Sequence, residues 1–404
     1  MPESPKRIVR IIARLNVGGP ARHVVWLTSK LVPPEFESTL IAGTVPPGEE
    51  DMSYFAEENG VEPIFLAELS RELSPKDIVS VVKIFRSLRR LKPDIVHTHT
   101  AKAGAVGRTA AFLYKYLTLG TFVGRPRRVK KVHTFHGHVF HSYYGKLKTR
   151  IFILIEKLLA RTTDRIIVIS DQQFEEINGK FKIGRREQFT VIPLGIEPID
   201  DAVEPAETLR REFSIPEDHL IAGFVGRLTE IKNLDLLLET AALCEKDAVP
   251  VHFVIVGDGH LRESLERRTA ALSLSNLSFT GNRKDVAGVL AELDIFVLTS
   301  KNEGTPLSMI EAMAANVPVI STAAGGVVDL AGEVTESNDG FDAAERAVLV
   351  RTFDPADLQK GLLYLLKNEK VRETLALRAA QFVDERYSVT RLVRDIAELY
   401  RGIA

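Results

Sequence analysis

Residues 295–322 read IFVLTSKNEGTPLSMIEAMAANVPVIST, and this stretch decides the fold. Ile295 to Leu298 is a short apolar run of the kind that forms a strand buried on both faces, and Val317 to Ile320 is a second. Between them Pro306 stands where a helix can begin, because the first helical residue needs no N–H. Leu307 to Ala315 then supplies strong helix formers that Asn316 can close. Strand, loop, helix, strand predicts a parallel pair joined by a helical crossover.

Two carboxylates interrupt this apolar unit, Glu303 in the loop and Glu311 inside the helix. A helix start carries unpaired amides and roughly half a positive charge, so the Gly304-Thr305-Pro306-Leu307 turn is a natural phosphate cradle. A carboxylate only accepts hydrogen bonds, so beside a phosphate it would recognise hydroxyls of a sugar or ribose. Taken singly, each glutamate reads as dipole-favoured or solvent-facing. The pair with the cradle reads as a site.

Outward from that centre, 404 residues predict two domains of ordinary size, and 45% hydrophobic with 26% charged residues is a globular composition. No apolar run approaches the roughly 20 residues of a membrane span. The N-terminal apolar run breaks at Arg10 and Arg14, which argues against a signal peptide. The one cysteine, Cys244, excludes an internal disulfide and a cysteine-based zinc site. A cytoplasmic enzyme is the expectation.

The first half opens with strand Arg7 to Ala13, a turn at Asn16 to Pro20 and a helix through Leu31. Gly18 and Gly19 permit close backbone approach to a ligand at the strand's carboxyl edge. The turn lacks G-x-G-x-x-G, so no nicotinamide cofactor is indicated. Strands near Ser38 to Ala42 and Pro63 to Leu66 and a helix over 75–91 continue the alternation. His97 and His99 end the next strand on one side of it, a pairing that suits a metal but with no third ligand evident in sequence, and a core or edge role is expected. Lys102 and Arg108 in the following helix suit either an anion or solvent. His133, His136, His138 and His141 cluster at another strand end, without cysteines or an H-x-x-x-H helix to complete a metal set. Arg165 to Ser170 is expected to be the last strand of the first sheet, and a proline-containing acidic stretch places a hinge near 195–210.

The second half restarts with strand Leu220 to Val225 and then Gly226-Arg227-Leu228-Thr229-Glu230-Ile231-Lys232-Asn233. Arg227 and Lys232 across such a turn can reach one diphosphate, the arginine through two parallel bonds and the lysine as a point charge. Strands at Val251 to Val256 and Asn276 to Thr280 precede the central stretch. Leu349 to Arg351, a helix over 355–366 and helical patterns from Val371 to Ile403, broken near Tyr387-Ser388, follow it. No D-x-D motif occurs, so nothing visible calls for a metal at a diphosphate, and no resident cofactor is expected.

These motifs resemble those of retaining glycosyltransferase family 4, bacterial polysaccharide and lipid-linked oligosaccharide enzymes among them. The likeness rests on KNEGTPLSMIEA (E-x7-E), on G-R-L-x-x-x-K-N, and on TFHGHVF and HTAKAGAVGR in the first half. Asp329 stands where many relatives have Glu. The resemblance implies the GT-B arrangement, an α/β fold of two doubly wound Rossmann-like domains facing across a cleft. Expected bounds are 1–198 for the acceptor-binding domain, 199–385 for the nucleotide-sugar domain and 386–404 for a helix returning to the first. It implies that Glu303 contacts the transferred sugar, Glu311 the ribose, and the amides of Gly304, Thr305, Pro306 and Leu307's turn, with Gly226, Arg227 and Lys232, the diphosphate. Gly18 and Gly19 would lie beside donor phosphates and acceptor, and Arg283 near the base, through its backbone. His136 would position a sugar hydroxyl, with His138 and Lys102 toward the acceptor.

The function so implied is metal-independent transfer of a sugar from a nucleotide diphosphate, UDP being the expected carrier, to a saccharide or lipid-linked acceptor with retained configuration. A sugar-nucleotide 2-epimerase and a non-catalytic nucleotide-sugar binder are the rival readings. Residues 1–195 carry 31 Lys+Arg against 19 Asp+Glu, an excess that suits an anionic membrane surface at the inner face of the plasma membrane, with a solvated face or steering of a phosphorylated acceptor as the competing readings, whereas no nucleic-acid motif is present. The basic run Arg125, Arg127, Arg128, Lys130 and Lys131 is the expected contact.

Overall fold

A computed structural model describes residues 4–16, 18–45, 51–69, 76–136, 146–197 and 208–403. The chain divides into two compact units, Met1–Gly195 with Val389–Ala404, and Ile196–Ser388. The expected domain bounds fall within a few residues of these divisions.

The first unit is built on a seven-stranded sheet of order β3-β2-β1-β4-β5-β6-β7, every neighbouring pair parallel. Its strands are β1 (Lys6–Ile12), β2 (Phe36–Gly43), β3 (Ile64–Leu66), β4 (Ile95–His99), β5 (Lys130–Thr134), β6 (Arg165–Val168) and β7 (Phe189–Val191). The sheet therefore ends at β7, not at the 165–170 strand expected to close it. β7 is three residues of half-buried FTV, too short and too exposed to carry the apolar run that marks a buried strand. Arg10, expected as a charge breaking an apolar run, is fully buried within β1, where it donates to Ser38 Oγ (2.9 Å) and to the Tyr400 hydroxyl (3.5 Å). Arg14 is buried as well.

The second unit carries an eight-stranded sheet of order β10-β9-β8-β11-β12-β15-β14-β13. Its strands are β8 (Leu220–Val225), β9 (Val251–Val256), β10 (Leu277–Gly281), β11 (Ile295–Leu298), β12 (Val319–Thr322), β13 (Val334–Ser337), β14 (Phe341–Ala344) and β15 (Val348–Val350). β11 and β12 pair in parallel, as the central stretch predicts, although β12 starts two residues later than Val317. β13 and β14 are antiparallel, an edge extension absent from the sequence reading because β13 is wholly exposed and has no apolar face to announce it.

At the amino-terminal edge of the sheets one device recurs. Asp94, Asp164 and Asp294 each immediately precede a strand. Each exchanges two bonds with the start of the neighbouring strand, its own amide to a carbonyl and its Oδ2 accepting from an amide: Arg7 (2.9 Å), Lys131 (2.8 Å) and Ile221 (2.8 Å). A short acceptor side chain thus satisfies an amide that the ladder would leave unpaired. The opposite, carboxyl edges are left to loops, where open α/β sheets bind ligands.

The final helix, Val389–Ile403, begins after the break at Ser388 and belongs to the first unit. It buries Leu392, Ile396 and Tyr400 against Ile8, Phe36 and Ile95.

Candidate active site

In the second unit the site is the loop after β11. Helix Leu307–Ala314 starts one residue later than expected, so Pro306 is its N-cap rather than its first turn; it offers no side-chain cap. Ile310 N makes the first backward bond, to Pro306 O, and helix geometry leaves the amides before it free for an anion. Asn316 has φ +57°, the left-handed geometry that ends the helix.

Glu303 sits at the mouth of this turn, and its Oε1 accepts from Lys232 Nζ at 2.6 Å and from Ser300 Oγ at 2.6 Å. Both ion-pair side chains are largely buried, at 16% and 13% exposure, so the pair is poorly screened. Two further bonds stitch the loops that present them: Thr299 Oγ1 donates to Lys232 O (2.8 Å) and Lys301 N to Ile231 O (2.8 Å). Gly325 explains its own identity. A Cβ there would lie 2.1 Å from the Glu303 carbonyl oxygen, and φ is +60°. Gly326 N donates to that same oxygen at 3.0 Å, so the Gly-Gly pair holds the Glu303 backbone.

Sequence reasoning brought Lys232 and Glu303 to one ligand but did not see that they bond each other, and it missed Ser300. Gly226 follows β8 beside them; a Cβ on it would meet Phe224 at 3.0 Å, and one on Gly257 would lie 2.1 Å from the Gly226 carbonyl oxygen. Arg227 is exposed, and Gly304, Thr305, Leu307 and Glu311 are half-buried. The Arg283 guanidinium is occupied, paired with both oxygens of Asp285 (2.9 and 2.7 Å) and with Glu212 (3.0 Å), which leaves its backbone to meet a ligand.

In the first unit the carboxyl edge gathers histidines. Gly18 (φ +147°) is the N-cap of helix Gly19–Lys30, which carries the buried His23. His97 is a satisfied core residue, Nδ1 to the Tyr400 hydroxyl and Nε2 to Thr134 Oγ1, each 2.7 Å. His133 is likewise internal, with Nδ1 2.9 Å from Thr98 Oγ1. His99 Nδ1 lies 3.0 Å from Nε2 of the half-buried His136. Burial holds His23, His97, His99 and His133 well below the usual imidazole range and lowers His136 to about 3, so all five are neutral near pH 7. A neutral ring can donate from one nitrogen and accept at the other, as a sugar hydroxyl requires.

Two cations expected in solvent or on an anion are elsewhere. Lys102 is buried against Asp77 at 2.6 Å, and Arg108 is buried with its NH2 group 2.7 Å from both oxygens of Glu156. Each spends its charge inside the unit. His138 and His141 lie outside the described residues.

Residues 205–382 match the family model for glycosyl transferases group 1, and residues 17–199 the model for glycosyltransferase family 4. The chain belongs to the family 4 type of glycosyltransferase, with the GT-B fold. It is 29% identical over 350 residues to the Escherichia coli UDP-Gal:alpha-D-GlcNAc-diphosphoundecaprenol alpha-1,3-galactosyltransferase, covering 85% of this chain and 84% of that one. It is 22% identical to the Staphylococcus aureus capsular polysaccharide biosynthesis glycosyltransferase CapM, with 80% of each covered. Among solved structures, Anabaena HepE in complex with UDP-glucose superposes with a TM-score of 0.74 at 19% identity over 98% of this chain and 99% of that one.

Proposed function

We infer that this glycosyltransferase takes a sugar from UDP and transfers it, with retained configuration, to a lipid-linked or saccharide acceptor in bacterial surface polysaccharide assembly. The observation that carries the donor half is the Lys232–Glu303 contact at the uncapped start of helix Leu307–Ala314. It sets a cation for phosphate, a carboxylate for sugar hydroxyls and free amides within one small volume. The acceptor half draws on the diphosphoundecaprenol substrate in the name of the Escherichia coli relative.

As the sugar leaves, charge grows on the β-phosphate, and Arg227, Lys232 and the helix start oppose it; preorganised charge of this kind supplies much of the rate enhancement in such chemistry. Glu303, fixed by Ser300 and Gly326, orients the sugar. The departing phosphate oxygen takes the acceptor's proton on the same face, so no separate base and no metal on the diphosphate are needed. The test is a screen of UDP-, GDP- and ADP-sugars for slow hydrolysis by the purified protein, which requires no acceptor. Free sugar from a UDP-sugar is expected. A sugar nucleotide epimerised at C2 and still attached to UDP would instead mean an isomerase.

A further inference from the structure

We propose that His23, His99 and His136 form a binding site for a divalent transition-metal ion of the zinc type, separate from the diphosphate cradle. Among the described residues, both ring nitrogens of His23 are buried without a hydrogen-bond partner, and so are Nε2 of His99 and Nδ1 of His136. A buried polar atom left unpaired costs about 1–3 kcal/mol, and an ion held by His99 Nδ1, His136 Nε2 and His23 would give the wholly unpartnered His23 ring a partner. The ligand atoms all lie within 4.8 Å of one another. The His23 and His136 rings stand 4.7 Å apart edge to face, and those of His99 and His136 are 5.2 Å apart.

Two nitrogens bound to one tetrahedral ion at about 2.0–2.1 Å are roughly 3.3 Å from each other. The 3.0 Å between His99 Nδ1 and His136 Nε2 is already near that edge, and a His23 ring nitrogen lies within 4.8 Å of the other ligand atoms. For both rings to ligate, the donor of the His99–His136 bond need only move its proton to its other, unpartnered nitrogen. Three imidazoles and no carboxylate favour Zn²⁺, Co²⁺, Ni²⁺ or Cu²⁺ over Mg²⁺ and Ca²⁺. Arg10 and Arg391 place positive charge near His23 and weaken the site relative to one with an acidic ligand.

The ion would fix the His136 ring and take it from any sugar hydroxyl it positions, so Zn²⁺ inhibits; this clause alone rests on the function proposed above. The chelator-treated full chain is dialysed against micromolar Zn²⁺, or loaded with Co²⁺ and read by visible absorption. One equivalent of Zn²⁺ and an intense tetrahedral Co²⁺ band are expected, with His23→Gln, His99→Gln and His136→Ala each weakening uptake by more than roughly 100-fold, beyond what loss of a group behind the ligands costs. His252→Gln, in the other unit, leaves uptake unchanged. His136 is less buried than His23 and His99, so its variant keeps the test open should those two misfold. Zn²⁺ uptake undiminished in His136→Ala, or displaced by equal Mg²⁺, overturns the site. Uptake that leaves donor hydrolysis untouched upholds the site and removes His136 from the sugar.

Discussion

Glu303 gives one oxygen to both Lys232 and Ser300, which separates its two possible losses. Removing its charge frees Lys232 for phosphate while leaving the sugar without its acceptor. Glu303→Gln should therefore abolish transfer with UDP affinity equal to or above the native value in titration calorimetry. Glu311→Ala should weaken UDP itself by about 10- to 100-fold, the worth of one charged hydrogen bond of about 1.5–3 kcal/mol. Equal loss of UDP binding in both would refute the division between sugar and ribose. Arg227→Ala and Lys232→Ala should lower kcat more than they raise KM, because their partner gains charge only as the bond breaks, and activity should persist in EDTA. His252 titrates on its own terms. Burial in β9 beside Ser278 lowers it to about 4, against about 6.5 when unfolded. The unfolded chain then binds the extra proton, so stability is full above about pH 6.5 and falls as pH drops toward 4. Urea midpoints between about pH 7 and pH 4.5 should decline less steeply in His252→Gln.

At the scale of elements, the short Leu119–Phe122 helix that follows helix Ala101–Tyr116 refines the membrane expectation. Leu119, Phe122 and Val123 are 87%, 90% and 73% exposed, an apolar tip turned to solvent, and Arg125 and Arg128 are exposed beside it. Lys131, expected in the same basic face, is buried beneath the Phe112 and Tyr116 rings, where burial lowers it to about 8. Phe122→Asp with Arg125→Glu and Arg128→Glu should abolish cosedimentation with anionic vesicles, and binding by the native chain should fall with salt. Undiminished binding by the triple variant would place the membrane contact elsewhere. Which elements are readable in advance follows from burial. β8 and β11 are apolar runs covered on both faces, β9 is one broken only by His252, and their bounds are legible to the residue. β7 and β13 are not, since short edge strands carry no such run, and the four-residue FDAA of β14, though buried between β15 and β13, is too short and too interrupted by Asp342 to show one. The aspartate before β4, β6 and β11 is a signal that a reading by hydrophobic runs passes over. The donor loop is legible because its chemistry is contiguous in sequence. The histidine cluster is not, because its third member, His23, comes from a helix far along the chain from His99 and His136.

The molecule as a whole holds its first unit together by its last helix. Tyr400 accepts from Arg10 and bonds His97, two polar groups buried in the centre of the sheet. Tyr400→Phe should cost about 1–3 kcal/mol through the groups it strands, measured as a shift in urea unfolding. Chain order adds something that packing alone does not describe. A ribosome making this protein releases the strands of the first sheet early but withholds their covering helix until the second unit has been synthesised. The first unit can thus mature only after helix Val389–Ile403 has been made. A chain lacking helix Val389–Ile403 keeps its second unit whole but exposes Ile8, Phe36 and Ile95 in the first and leaves Arg10 without the Tyr400 hydroxyl, the kind of surface that chaperones and proteases recognise. The closing helix is in effect a proofreading mark.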